Sequence, residues 1–237
     1  MKVVIQCAGS KHSYAGRLET PSGEKVEFVA TPELCKSVPP GVRYFKTDDL
    51  YGVKAMTWRD ELTRYNEETE NPYKLLRAAD LCTPNVYRKL TDAFGWESVF
   101  ILSAGWGLIR ANYLTPYYDI TFSKTAKREN QWKWRDGENI ARSTSDFNHL
   151  KRASISPSEE IHFFVGLDYL DLCYALVQDL LATKVIHFKS RKLKADSKRR
   201  AGFVYVEYVG PEKTNWHYSA AKDFAAEHGQ RGDKEVD

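Results

Sequence analysis

Asp119 has the surroundings that chemistry most often uses. It closes Pro116-Tyr117-Tyr118-Asp119 and precedes Ile120, so a carboxylate stands among aromatic and apolar neighbours. There a carboxylate can act as a base, orient a water or stabilise developing positive charge. It can equally close the turn at Tyr118 by accepting backbone N–H groups, and both readings stay open. Upstream, Ser103-Ala104-Gly105-Trp106-Gly107 follows an apolar run. Gly105 and Gly107 let the backbone turn sharply, either to face N–H groups towards a ligand or to make a plain turn. Trp106 between them is expected to be an exposed indole able to stack on a base. Near the N-terminus, Cys7-Ala8-Gly9-Ser10-Lys11 supplies a hydroxyl and a cation on a small-residue turn, a minimal anion site. No GxxxxGK[ST] loop accompanies it, so nucleotide hydrolysis has little support. His217, in Asn215-Trp216-His217-Tyr218, is a candidate for substrate contact on an aromatic loop before a helix. His162 and His187 fall inside strand patterns and are expected to be satisfied core histidines. No Ser-His-Asp arrangement can be assigned.

The net charge of +3 says little about partners, but its distribution says more. The stretch from Lys189 to Arg200 holds seven basic residues, Lys189, Arg191, Lys192, Lys194, Lys198, Arg199 and Arg200, against the single acid Asp196. A second stretch interleaves Lys124, Lys127, Arg128, Lys133 and Arg135 with Trp132 and Trp134. Cations for phosphates beside flat rings for bases is the usual composition of a nucleic-acid surface, although one basic run alone reads as a solvated loop.

These groups must be positioned by a fold of ordinary size. At 237 residues, 42% hydrophobic and 28% charged, the chain has the composition of a globular protein with a sizeable core. No apolar run approaches the ~20 residues of a membrane span, and the first residues enter a strand pattern without a signal-peptide layout. Cys7, Cys35, Cys82 and Cys173 form no CxxC pair. Reduced thiols in a cytoplasm are therefore expected rather than zinc or disulfides, and no glycine motif suggests NAD. No cofactor or metal is expected.

Val3 to Gln6 reads as a central strand, and Glu24 to Val29 as one arm of a hairpin after Pro21-Ser22-Gly23. Asp60 to Tyr65 reads as a helix, Pro72 as a helix start, and Thr83-Pro84 as the start of a helix through Phe94. Strands are expected over Val99–Leu102, Ile161–Val165, Val185–Phe188 and Gly202–Val209. Helices are expected over Asp168–Leu181 and Ser219–Glu227, with a further helical stretch from Ile140 to Leu150 inside a polar insertion at about 123–158. Strand and helix alternate, which implies a single α/β domain over 1–228 around a mostly parallel sheet, with a flexible tail at 229–237. The unusual residues collect at the carboxyl ends of its strands, where such sheets open their ligand crevice.

Three landmarks now stand in order: Cys7-Ala8-Gly9-Ser10-Lys11, then Leu102-Ser103-Ala104-Gly105-Trp106-Gly107-Leu108, then Pro116-Tyr117-Tyr118-Asp119. The succession resembles small bacterial domains whose first strand ends in a Cys-Gly-Lys-Ser-Lys-like turn and whose later strand ends in Ser-Ala-x-x-Gly-Leu. It also resembles the glycosylase-like domain of archaeosine synthase, related to the uracil-DNA glycosylase superfamily. The resemblance covers about the first half of the chain and the next strand. It implies a three-layer α/β sandwich and an enzyme that cuts a glycosidic bond to a base in DNA, drawing the base out of the stack. On that reading Cys7, Gly9, Ser10, Lys11, Ser103, Gly105, Trp106, Gly107, Tyr117 and Tyr118 bind the substrate, with Trp106, Tyr117 and Tyr118 enclosing the base. Asp119 and His217 do the chemistry, while the basic stretches, with Trp132, hold DNA. The family's Gly-Gln-Asp-Pro-like and His-Pro-Ser-like loops are absent, which implies a modified, bulky pyrimidine and suits defence against phages with hypermodified DNA. A non-catalytic DNA-binding protein and a nucleotide-processing enzyme are the alternatives.

Overall fold

A computed structural model describes residues 1–52, 55–132, 146–189, 193, 199–212 and 214–229. The chain opens with strand β1 (Lys2–Gln6), then β2 (Lys25–Val29) and β3 (Val42–Phe45). Helix α1 (Trp58–Glu67) starts on a capping box: the Thr57 hydroxyl accepts the Asp60 N–H, and the Asp60 carboxylate accepts the Thr57 N–H at 2.7 Å. Strand β4 (Leu76–Arg77), the single turn α2 (Ala78–Leu81) and helix α3 (Val86–Phe94) lead into β5 (Val99–Ser103) and β6 (Gly107–Arg110). Short strands β7 (Leu114–Thr115), β8 (Tyr118–Asp119) and β9 (Phe147–Asn148) follow. Strand β10 (Glu160–Phe164), helix α4 (Leu167–Val177), β11 (Thr183–Phe188), β12 (Val204–Glu207) and helix α5 (Trp216–His228) complete the described fold.

The fold is mixed α/β, with a seven-stranded sheet in the order β12-β11-β10-β1-β5-β6-β9. The first five of these run parallel, while β6 is antiparallel to β5 and β9 runs parallel to β6. A smaller parallel sheet, β3-β2-β8, carries Asp119 on its edge strand. Residues facing one way from the large sheet, His162, Phe164 and His187, pack on Phe224 of α5. Side chains alternate along a strand, so Lys184 projects from the opposite face, and it bonds the carbonyls of Gln178 and Leu180 just after α4. Helices thus cover both faces. The continuous apolar run Val99–Leu102 is buried throughout, as both covered faces require.

Several expectations need correction. Phe147 and Asn148, assigned to a helix over 140–150, form the edge strand β9 against Gly107 and Leu108, while 140–145 lie outside the described residues. Pro72 opens no helix: the Asn71 side chain bonds both the N–H and the C=O of Leu75, closing a turn instead. Lys25–Val29 does fold back on Leu18 and Thr20 through the Gly23 turn, yet its main partners are the parallel β3 and β8. Among the described residues no helix is long and apolar enough to cross a membrane.

Candidate functional site

The turn after β5 is a packed joint. Trp106 is fully buried, correcting the expectation of an exposed indole. Its ring lies 5.0 Å from Phe28 and stacks on Phe147 at 6.2 Å between centroids. The N–H groups of Gly105 and Trp106 both turn inward to Ser103 Oγ, at 3.2 and 3.1 Å. Their carbonyls accept from the buried Arg59 guanidinium, at 2.6 and 2.9 Å. Arg59 also pairs with Asp48 at 2.5 Å and Asp146 at 3.2 Å, so α1, the loop before it, the turn and the start of β9 meet on one cation. Gly107 has φ +88°, and a Cβ there would sit 2.6 Å from the Phe147 carbonyl oxygen, so its glycine serves the packing of β9. Gly105 is likewise closed over by Ile120 and Tyr118. Neither glycine leaves room above it for a ligand.

The crevice expected at the carboxyl ends of β1 and β10, where the sheet connections diverge, is filled from within. Cys7 Sγ lies 3.4 Å from the Tyr169 hydroxyl, and Gln6 Oε1 accepts the Gly166 N–H at 2.6 Å. Tyr87 donates to the Gln6 carbonyl at 2.7 Å, and Phe122 stands edge-on to Tyr169 at 4.9 Å. Burial raises the phenols of Tyr87, Tyr118 and Tyr169 well above their ordinary range, and raises Cys82 to about 11. These groups stay protonated and act as packing. Tyr118 belongs to the same cluster: its hydroxyl and Ser103 Oγ lie 2.9 Å apart, and the Lys11 ammonium sits 4.2 Å from its ring centroid. Ser10 Oγ is exposed and bonds Thr83 Oγ1 at 2.6 Å, while Gly9 opens onto solvent.

Asp119 faces elsewhere. β8 extends beyond this cluster, so its successive residues point to opposite sides: Tyr118 inward, Asp119 into an open pocket of about 390 Å³. Asn130 Nδ2 donates to Asp119 Oδ2 at 2.5 Å, and among the described residues Oδ1 has no hydrogen-bond partner. Tyr44 and Tyr117, both half-buried, form aromatic walls, and Lys36 and Lys127 stand at the exposed rim. Burial pushes the Asp119 carboxyl above its ordinary value. Lys11 and Lys127 pull the other way, and Glu129 and Glu27 reinforce the rise. A half-buried carboxylate with one oxygen clamped and the other open to a tyrosine-walled pocket can accept a proton or face a developing cation.

The remaining candidates are dispersed. His217 is buried on α5, its Nε2 has no hydrogen-bond partner among the described residues, and burial lowers it to about 4; it does not line the Asp119 pocket. Trp132 is buried rather than presented to bases. Arg128 is exposed beside Lys127. Lys189 bonds the Gly210 carbonyl, Arg199 lies 5.0 Å from the Tyr205 ring centroid, and Arg200 lies 4.6 Å from that of Tyr174. Arg191, Lys192, Lys194 and Lys198 lie outside the described residues. His162 Nδ1 and His187 Nε2 are 3.1 Å apart and His162 Nε2 meets Glu160, so those two histidines are satisfied as expected.

Residue types alone did not single out Arg59, Tyr44 or Asn130. Asn130 is eleven residues from the acid it clamps, across a polar segment with no periodicity to join them. No family model matches the chain, and comparison with curated proteins gives no match.

Proposed function

We propose that this protein hydrolyses the N-glycosidic bond of a modified pyrimidine in DNA, leaving an abasic site, with Asp119 as the catalytic carboxylate. The observation that carries the reading is the setting of Asp119: raised by burial, held through one oxygen by Asn130, and open through the other to a 390 Å³ pocket. In the reaction the C1′–N bond breaks as the sugar acquires oxocarbenium character. Water adds to C1′, Asp119 takes a proton from that water, and the departing base leaves with the bonding pair and takes a proton from solvent, to which Asp119 then returns its own. Tyr44 and Tyr117 flank the extruded base, and Lys36, Lys127 and Arg128 meet the phosphates on either side of it. The raised basicity of Asp119 suits proton abstraction near neutrality better than an ordinary carboxylate would.

The mostly parallel sheet with helices on both faces is compatible with a uracil-DNA glycosylase-like fold, and the four free cysteines suit a cytoplasmic enzyme. Since the uracil-specific loops are absent, a bulkier pyrimidine, as in hypermodified phage DNA, is the substrate we favour. His217 takes no part in this mechanism, because it does not reach the pocket.

The test is incubation of the purified protein with plain, uracil-containing, hydroxymethylated and glucosylated DNA, scoring released base and alkali-labile sites. Release from one modified DNA, lost on Asp119→Asn, is expected. Salt-sensitive binding without release on every DNA would replace the enzyme with a DNA-binding protein.

A further inference from the structure

A second pocket, of about 380 Å³, opens between α1 and the β6–β9 edge, and none of its lining is shared with the Asp119 pocket. His149 lies at its base, mostly buried, with Tyr113 edge-on at 4.5 Å. The Arg110 backbone N–H donates to His149 Nδ1 at 3.2 Å. An acceptor nitrogen carries no proton, so this bond fixes the tautomer and puts the imidazole hydrogen on Nε2. Nε2 has no hydrogen-bond partner among the described residues, which leaves a defined donor for whatever enters the pocket.

Two guanidinium groups line the same space. Arg110 is anchored by Glu97 at 3.2 Å, and Glu97 also accepts from Asn112 at 2.7 Å, so the Arg110 head is braced. Arg152 is exposed and makes no ion pair among the described residues. Burial first, then the charges of Arg152 and Arg110, hold the His149 imidazole down at about 4. The ring is therefore neutral at physiological pH, a donor at Nε2 and an acceptor at Nδ1, under a positive potential. Glu67, from α1, lines the same pocket, is exposed and offers an acceptor. The pocket thus combines oxyanion-binding groups with a hydroxyl acceptor.

We propose that this pocket binds a sugar phosphate of the nucleotide type, with the phosphate on Arg110, Arg152 and His149 Nε2–H and a sugar hydroxyl on Glu67. Charge-assisted bonds from two guanidinium groups match the geometry of a phosphate monoester, and the volume accommodates the sugar as well. A free mononucleotide and a phosphorylated strand end present the same group.

The test is nitrogen-15 NMR of the His149 ring in the full-length protein, titrated with inorganic phosphate, a nucleoside 5′-monophosphate, and oligonucleotides with and without a 5′-phosphate. The monophosphate is expected to shift the Nε2 resonance saturably at millimolar concentration or below, and to raise the His149 pKa by cancelling its cationic surroundings. Arg152→Gln, at an exposed site, is expected to weaken both phosphate and nucleotide about tenfold or more. Glu67→Gln is expected to weaken the nucleotide and leave inorganic phosphate bound at least as well. A shift with the phosphorylated oligonucleotide and not its hydroxyl counterpart would assign strand ends as a source; a shift with the monophosphate alone would assign free nucleotide. No shift with any probe at low-millimolar concentration, or shifts untouched by Arg152→Gln, would overturn the site. Since the measurement reads binding, it stands whether or not the protein releases a base.

Discussion

The Ser103–Gly107 turn and the Asp119 pocket are built from similar residue types: small polar groups, aromatic rings and a charged side chain. They differ in what is left over. In the turn both inward N–H groups and both carbonyls are taken, and the Arg59 guanidinium is shared among two acids, two carbonyls and the Thr47 hydroxyl. At Asp119 one carboxylate oxygen is clamped by Asn130 and the other faces open volume. A paired backbone holds strands in register even though the buried Trp106 indole N–H has no hydrogen-bond partner among the described residues, whereas a half-satisfied acid at a pocket retains capacity for another molecule. Glycines and tryptophan beside a strand end therefore marked a joint of the fold, and the carboxylate on β8 of the smaller sheet marked the candidate site.

The sharpest way to break this comparison is to remove the cation from the joint. Arg59→Leu takes a buried cation away from Asp48, Asp146 and the carbonyls of Gly105 and Trp106, and is expected to cost about 3–5 kcal/mol, read as a large fall in denaturation midpoint or as failure to fold. A variant within experimental error of the wild type would show that the joint is not a keystone.

Acidification tests the buried histidine of α5. His217 falls from 6.5 to about 4 on folding, so the unfolded chain binds more protons across that interval. Stability is therefore complete above pH 6.5 and is lost as pH falls towards 4, by at most about 3 kcal/mol from this group. His217→Phe is expected to flatten that part of the stability profile measured by denaturant titration. An unchanged profile would mean that the imidazole gains a partner on protonation.

Tyr118→Phe removes the phenol facing Ser103 Oγ and is expected to cost about 1 kcal/mol, with any base release retained. A loss of release far beyond the loss of stability would move the chemistry back towards the turn.

The smallest effect concerns Asp119 itself. Its folded pKa is raised, so the native state holds its proton to higher pH than the unfolded chain. Stability then decreases as pH rises through that window, and Asp119→Asn should be equal to the wild type or more stable at neutral pH by under about 1 kcal/mol. Activity carried by the ionised form runs the other way, rising with pH through the same pKa. A strongly destabilised Asp119→Asn would mark a structural acid.

Much of the fold was legible because it is encoded locally. Val99–Leu102 is wholly apolar, and Val3–Gln6, Ile161–Val165 and Val185–Phe188 are apolar but for Gln6, His162 and His187; runs this apolar belong to strands covered on both faces. Helix α3 announced itself by Thr83-Pro84 just before it. What failed was decided at a distance. β9 is two residues long, and its strand character comes from Gly107 admitting the Phe147 backbone, which no period in 140–150 reveals. Trp106 is buried because Phe28 and Arg59, from far upstream, close over it. Asp119 was identified from its aromatic neighbours, but of the two adjacent tyrosines only Tyr117 shares its pocket, since alternation along β8 sends Tyr118 the other way.

The most direct test of the account is single-turnover base release from the responsive modified DNA, measured in parallel for wild type, Asp119→Asn and Tyr118→Phe, with denaturation midpoints for all three. The account predicts that Asp119→Asn loses on the order of 10²-fold or more in rate at unchanged stability, while Tyr118→Phe loses stability and keeps its rate. Release that survives in Asp119→Asn and disappears in Tyr118→Phe would contradict it.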